Sequence, residues 1–248
     1  MGLLALCLCG CGTDLFFGAA SACPGGKGTE MISVEGFCID KTEVTQSEYA
    51  EYLATEPSAG AQPAECAWNE RFEPQELETE ALLPPFEPQQ ADLPVGSVDF
   101  CDARAYCEWA GKRLCGKRGG GTLAWEDATD DAESEWFQVC SRGGALAYPY
   151  GQEFDLSACA VRREYYPVGT DRRCEGGVSG VFDLVGNVWE WEDACAEDGS
   201  PPQEMLCSRR GGAVGVIPET WTCAERGVAP RRTRQRDIGI RCCSDATK

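Results

Sequence analysis

Histidine is absent from all 248 residues of this chain, and seventeen cysteines are present. Without imidazole, a Ser-His-Asp triad, a Cys-His pair and a three-histidine iron or zinc site are all excluded. Carboxylates, thiols, tyrosines and arginines remain to do chemistry. Their densest grouping is Gly180 to Trp191, GVFDLVGNVWEW, where Asp183 and Glu190 bracket Gly186 beside Trp189 and Trp191. The alternation Val188, Trp189, Glu190, Trp191 reads as a short strand whose successive side chains face opposite sides. Both tryptophans then share one face.

The thiols have two readings, disulfides or metal ligands. Zinc sites usually carry Cys-x-x-Cys pairs, whereas most cysteines here stand singly, far apart in the chain. Disulfides in an oxidising compartment are therefore the expectation. Acidic residues number 41 against 22 basic ones, a formal net charge of -19. That sign repels phosphate backbones and anionic headgroups, so nucleic acid is not an expected partner.

Thr45-Gln46-Ser47-Glu48 fits a capping box, with Tyr49, Tyr52 and Leu53 following at helical spacing. A second helix is expected from an Asp99 cap through Ala103, Tyr106, Cys107 and Ala110, stopping at Gly111. Six prolines between Pro57 and Pro88 read as a long surface excursion, with Cys66 tying it down. From Gly119 onward the expectation is loops and brief strands, and the acidic run Glu126 to Glu135 reads as a solvated face. No repeat is visible, and residues 23-248 read as one domain.

Residues 1-22 read as an export leader. Leu3 to Leu8 is apolar, and Leu8-Cys9-Gly10-Cys11 resembles a bacterial lipobox, which makes Cys11 the lipidation candidate. No Lys or Arg precedes the apolar run, and a secretory signal cut after Ala22 is the competing reading. Fourteen cysteines follow Cys11, an even number that can pair completely. The expected location is thus the bacterial cell envelope or outside the cell. A membrane enters only through the possible N-terminal lipid.

GNVWEW, together with other segments in the same order, resembles the formylglycine-generating enzyme (sulfatase-modifying factor) family. Phe37-Cys38-Ile39-Asp40-Lys41-Thr42-Glu43-Val44-Thr45 looks like its N-terminal segment, and Ala105-Tyr106-Cys107 through Leu114 looks like its central helix. Arg210-Gly211-Gly212, Cys223-Ala224-Glu225-Arg226 and Gly239-Ile240-Arg241-Cys242 look like its C-terminal landmarks. The resemblance covers about Met31 to Cys242. It implies an irregular, disulfide-rich, C-type-lectin-like α+β fold with little regular secondary structure. It also implies bridges Cys107 to Cys242 and Cys140 to Cys223. Local spacing adds Cys159 with Cys174 and Cys195 with Cys207.

For cofactors, the resemblance implies a structural calcium held by Asp183, the carbonyls of Gly186 and Val188, and Glu190, a set of hard oxygens that suits that ion. The alternative is that Asp183 caps a turn and Glu190 bonds backbone amides. A second family calcium site is not expected, because Ala160 stands where an asparagine belongs. Family enzymes oxidise a substrate cysteine to formylglycine with copper, using two cysteines between the RGG and CAxR landmarks. Thiolates suit Cu(I). Here that stretch, Ala213 to Thr222, contains no cysteine. Copper is therefore not expected, and the leading expectation is a non-catalytic domain that binds an unknown protein or small ligand. The alternatives are an active oxidase completed by displaced cysteines, and a purely structural module. Trp189, Arg210 and Trp221 are the binding-cleft candidates, against core packing. The arginines from Arg209 to Arg236 suit carboxylate or sulfate ligands, against a solvated basic loop.

Overall fold

The computed structural model describes residues 23-75, 91-159, 165-214 and 221-246. Cys11, Ala160 and most of the segment after Ala213 lie outside the described residues. In chain order the elements are β1 (Met31–Val34), β2 (Phe37–Asp40), α1 (Gln46–Leu53), α2 (Phe100–Trp109), β3 (Arg113–Leu114), α3 (Glu135–Ser141), β4 (Trp189–Cys195), β5 (Leu206–Arg210), β6 (Arg226–Pro230), β7 (Ile238–Gly239) and β8 (Cys242–Asp245).

Both expected helices form where their caps lie. Thr45 accepts from the Glu48 amide while the Glu48 carboxylate accepts from the Thr45 amide, and Asp99 and Asp102 exchange the same pair of bonds. Each box satisfies backbone N–H groups that a helix start would otherwise leave without partners. α2 ends at Trp109, and Gly111 follows at φ 74°, a left-handed conformation that glycine adopts at no steric cost.

One helix and one buried acid depart from expectation. α3 forms inside the stretch read as loops, capped by Ser134, whose hydroxyl accepts from the Phe137 amide. Glu135, read as the end of a solvated acidic run, is buried at the first position of α3. Its two oxygens accept from Nη1 and Nη2 of Arg113, both at 2.6 Å. A bidentate guanidinium and a helix N-terminus together hold this carboxylate inside, a long-range pairing that composition cannot display.

The strands make two four-stranded sheets, ordered β1-β2-β8-β3 and β6-β5-β4-β7. The first is antiparallel throughout, and in the second β7 runs parallel to β4. Seven disulfides join Cys23 to Cys38, Cys66 to Cys101, Cys107 to Cys242, Cys115 to Cys243, Cys140 to Cys223, Cys159 to Cys174 and Cys195 to Cys207. Cys242 and Cys243 are neighbours on β8 and so face opposite sides of the sheet. Cys242 joins the core around α1, α2 and β4, and Cys243 joins the core around Trp136, Leu184 and Trp221. One strand therefore fastens two hydrophobic cores. No helix of the described residues is long and apolar enough to cross a membrane.

Candidate functional site

The turn entering β4 is built by its glycine and by two residues that tolerate left-handed backbone. Asp183, Gly186 and Asn187 have φ of 60°, 90° and 53°. The Asn187 side chain ties the turn down: its Oδ1 accepts from the Tyr166 amide, and its Nδ2 donates to the Tyr166 carbonyl and to Glu43 Oε2. Asp183 accepts from the Gly169 amide at 2.6 Å and from the Tyr166 hydroxyl at 3.2 Å. β4 then runs between β5 and β7, so Glu190 and Glu192 are buried along with the tryptophans.

Glu190 is engaged on both oxygens. Trp136 Nε1 donates to Oε2 at 2.6 Å, and Arg241 donates to Oε1 at 2.7 and 2.8 Å. Arg241 is fully buried and also donates to the carbonyls of Asp40 and Phe182. Neither backbone amides nor solvent serve Glu190; a guanidinium from the far end of the chain does. Burial pulls the Arg241 pKa down, but Glu190, Glu43 and Asp183 around it outweigh that and raise it.

The remaining two carboxylates are less well compensated. Burial, then repulsion from Asp183, holds the Glu43 pKa well above the usual carboxylate range. Burial raises Asp183 to about 6, against hydrogen bonds that favour its ionised form. Glu43 Oε1 is a buried acceptor without a partner. Asp183 stands beside an orphan oxygen of Glu43, a residue not in the expected calcium set, whereas Glu190 is already neutralised. Two neighbouring buried carboxylates with one unused oxygen suit a hard cation. Among the described residues, no group of three or more acidic or cysteine side chains is arranged to hold a metal.

The three cleft candidates are placed in the interior: Arg210 is 0% exposed, Trp221 2% and Trp189 6%. Arg210 lies 4.8 Å from the Trp136 ring centroid and donates from Nη2 to the Cys223 carbonyl. Its Nε and Nη1 make no hydrogen bond, with Glu192 3.9 Å away, and burial lowers its pKa. Trp221 packs so closely on Gly212 that a Cβ there would fall 2.5 Å from its ring. Trp189 is covered by the Arg209 guanidinium, 4.8 Å from its centroid. These side chains make a packed wall rather than an open cleft.

The arginines after Arg209 are equally dispersed in role. Arg234 is buried and pairs with Asp99 and Asp102, and it donates to Asn69 and to the carbonyls of Arg71 and Glu73. Arg232 pairs with Glu204 at the surface. Neither a single anion site nor a uniformly solvated loop describes them.

The cysteines decide what the site can do. The four pairs named from the sequence are brought together, and the other six described cysteines make three more bridges. No described residue offers a free thiol, so none offers a thiolate ligand for Cu(I). The sequence reading missed Arg241 as the partner of Glu190, and Glu43 and Tyr166 as neighbours of Asp183. Nothing in the polar stretch Asp40-Lys41-Thr42-Glu43 marks Glu43 as buried, so no local signal was available for it.

A family model described as "Sulfatase-modifying factor enzyme 1-like domain" matches residues 15–246. The chain belongs to that family. This sulfatase-modifying factor domain is similar to cattle "Inactive C-alpha-formylglycine-generating enzyme 2", at 30% identity over 185 residues, covering 64% of this chain and 52% of the relative. The chain thus spans about half of that relative's length. It is also similar to the "Formylglycine-generating enzyme" of Mycobacterium tuberculosis (strain ATCC 25618 / H37Rv), at 28% identity over 63% of this chain and 58% of the relative. Among solved structures, PvdO from Pseudomonas aeruginosa matches with TM-score 0.55 and 23% identity over 84% of this chain and 80% of that one. The family's irregular, C-type-lectin-like α+β fold is the fold of this domain.

Proposed function

We propose that this sulfatase-modifying factor domain is non-catalytic and acts by binding, in an exported and lipid-anchored protein. The observation that carries the reading is that all fourteen cysteines among the described residues are consumed in disulfides. Formylglycine formation in this family requires a thiol pair for copper, and the stretch that should supply it has none. The similarity to a relative named as inactive supports the same reading. Export is supported by the disulfides themselves, which persist in oxidising compartments.

The test is a thiol count on the purified mature protein by alkylation and intact mass, paired with a copper-supplemented assay on a cysteine-bearing sulfatase peptide. No alkylation of residues 23-248 before reduction, and no oxidised peptide, are expected. Two alkylated cysteines together with an oxidised peptide would establish the oxidase instead. Acylation at Cys11 is read in the same mass spectrum.

Calcium belongs to this reading as a structural ion. Asp183 and Glu43 would hold it, helped by backbone carbonyls of the turn, and it would relieve the repulsion between them. At pH 7, calcium at about 100 times its Kd should stabilise the folded domain by about 2.7 kcal/mol over chelator. Asp183→Asn should abolish that difference in thermal melts. An unchanged melting temperature with and without calcium in the unsubstituted domain would remove the ion from the reading.

A further inference from the structure

The cleft candidates are buried, so a binding function needs another surface. The segment between α1 and α2 supplies one. Tyr52, Pro57, Phe72, Ala105 and Trp109 line a half-open hollow of about 270 Å³. Its wall is aromatic: Tyr52 lies 5.6 Å from both Phe72 and Trp109, centroid to centroid. A second hollow of about 310 Å³ adjoins it across Pro57 and Phe72, and there Glu56, Glu70 and Glu73 outnumber the single Arg71. All three acids are exposed, and among the described residues no hydrogen bond or salt bridge engages their side chains.

An irregular segment with this composition would ordinarily be a loose loop, but here it is held rigidly. The three successive carbonyls of Arg71, Phe72 and Glu73 accept from buried donors: Arg234 Nη2 at 2.8 Å, the Tyr49 hydroxyl at 2.7 Å and Arg234 Nη1 at 2.9 Å. With the backbone pinned from inside, Phe72 is buried while Arg71 and Glu73 stay exposed. On the other side Cys66 is bonded to Cys101 of α2, and Arg104 pairs with both Glu65 and Glu108. Preorganisation of this kind lowers the entropic cost of binding.

We infer that this two-part groove is a docking site for a basic peptide segment of a protein partner, with an apolar side chain in the aromatic hollow and lysine or arginine beside the three glutamates. The inference rests on the binding reading above. Charge complementarity selects the occupant: the acidic hollow is net negative, and a chain of formal charge -19 steers cations toward itself. The wall also accepts a cation already, since Lys27 Nζ lies 4.5 Å from the Trp109 centroid.

The experiment is calorimetric titration of the purified domain with the amidated peptide Lys-Lys-Leu-Lys-Lys. E56Q/E70Q/E73Q should weaken binding about tenfold or more. E126Q/E153Q/E197Q, an equal loss of charge elsewhere on the surface, should change it less than about threefold. Ala105→Phe, which fills the apolar hollow, and Leu→Gly in the peptide should each weaken it about tenfold. If Ala105→Phe unfolds the helix, the glutamine variants and the peptide change still decide. No binding, equal weakening by the two glutamine triples, or indifference to leucine would overturn the groove. The thiol count and oxidation assay are untouched by those outcomes, so failure of the groove and failure of the non-catalytic reading remain distinguishable.

Discussion

Arg241 is the residue on which the interior charge balance turns. It is buried among Glu190, Glu43 and Asp183, and it donates to two backbone carbonyls as well as a carboxylate. Arg241→Met should therefore cost about 3-5 kcal/mol in urea unfolding, since removing one partner strands the other charge in the interior. A cost under about 1 kcal/mol would show that the carboxylates are neutral without it. Asp183 gives a pH signature. Its pKa rises from 3.8 to about 6 on folding, so between these values the folded chain holds a proton that the unfolded chain releases. Its contribution is fully present below the unfolded value and is lost as pH rises through about 6. In chelator, melting temperature should fall over that window more steeply than in Asp183→Asn, and parallel profiles would refute the assignment. Glu190 was legible as a conspicuous acid but not its partner. Fifty-one residues separate it from Arg241, and nothing local in either segment announces the pair.

At the scale of elements, what could be read from the sequence is what is stabilised locally. α1 is announced by its capping box and α2 by its Asp99 cap, whose bonds join residues no more than three apart. α3 is only seven residues long, and its Glu135 merged with an acidic run, because the Arg113 that internalises it lies 22 residues earlier. The strands were mostly illegible. β4 is the exception, since the strand read over Val188 to Trp191 is its beginning, although burial on both sides hides the rest of it; β3 and β7 have two residues each and carry no pattern. The two caps should also differ in cost. Thr45→Ala removes a cap that carries no buried ion pair and should destabilise by about 1 kcal/mol. Asp99→Ala removes a cap and also a buried partner of Arg234, and about 3-5 kcal/mol is expected. Paired urea titrations compare them, and equal costs would mean that Arg234 is compensated by Asp102 alone.

For the whole molecule, disulfides do the joining that long regular elements do elsewhere, and they are unequal in reach. Cys107–Cys242 and Cys115–Cys243 close loops with sequence separations of 135 and 128, whereas Cys195–Cys207 spans 12. The chain-entropy view assigns about 3 kcal/mol to a 15-residue loop and about 4.7 kcal/mol to a 100-residue loop. The long bridges also leave from adjacent residues of β8 into different cores, so each ties one core to the sheet between them. The double variant Cys107→Ser/Cys242→Ser should then destabilise by about 2 kcal/mol more than Cys195→Ser/Cys207→Ser. It should also split one unfolding transition into two, because the core around α1 and α2 loses its covalent tie while the core around Trp136 keeps Cys115–Cys243. Fluorescence and near-ultraviolet circular dichroism, followed together through urea, give the reading. Coincident curves, with the two double variants equal in midpoint, would mean that packing rather than the paired cysteines of β8 makes the two cores one cooperative unit.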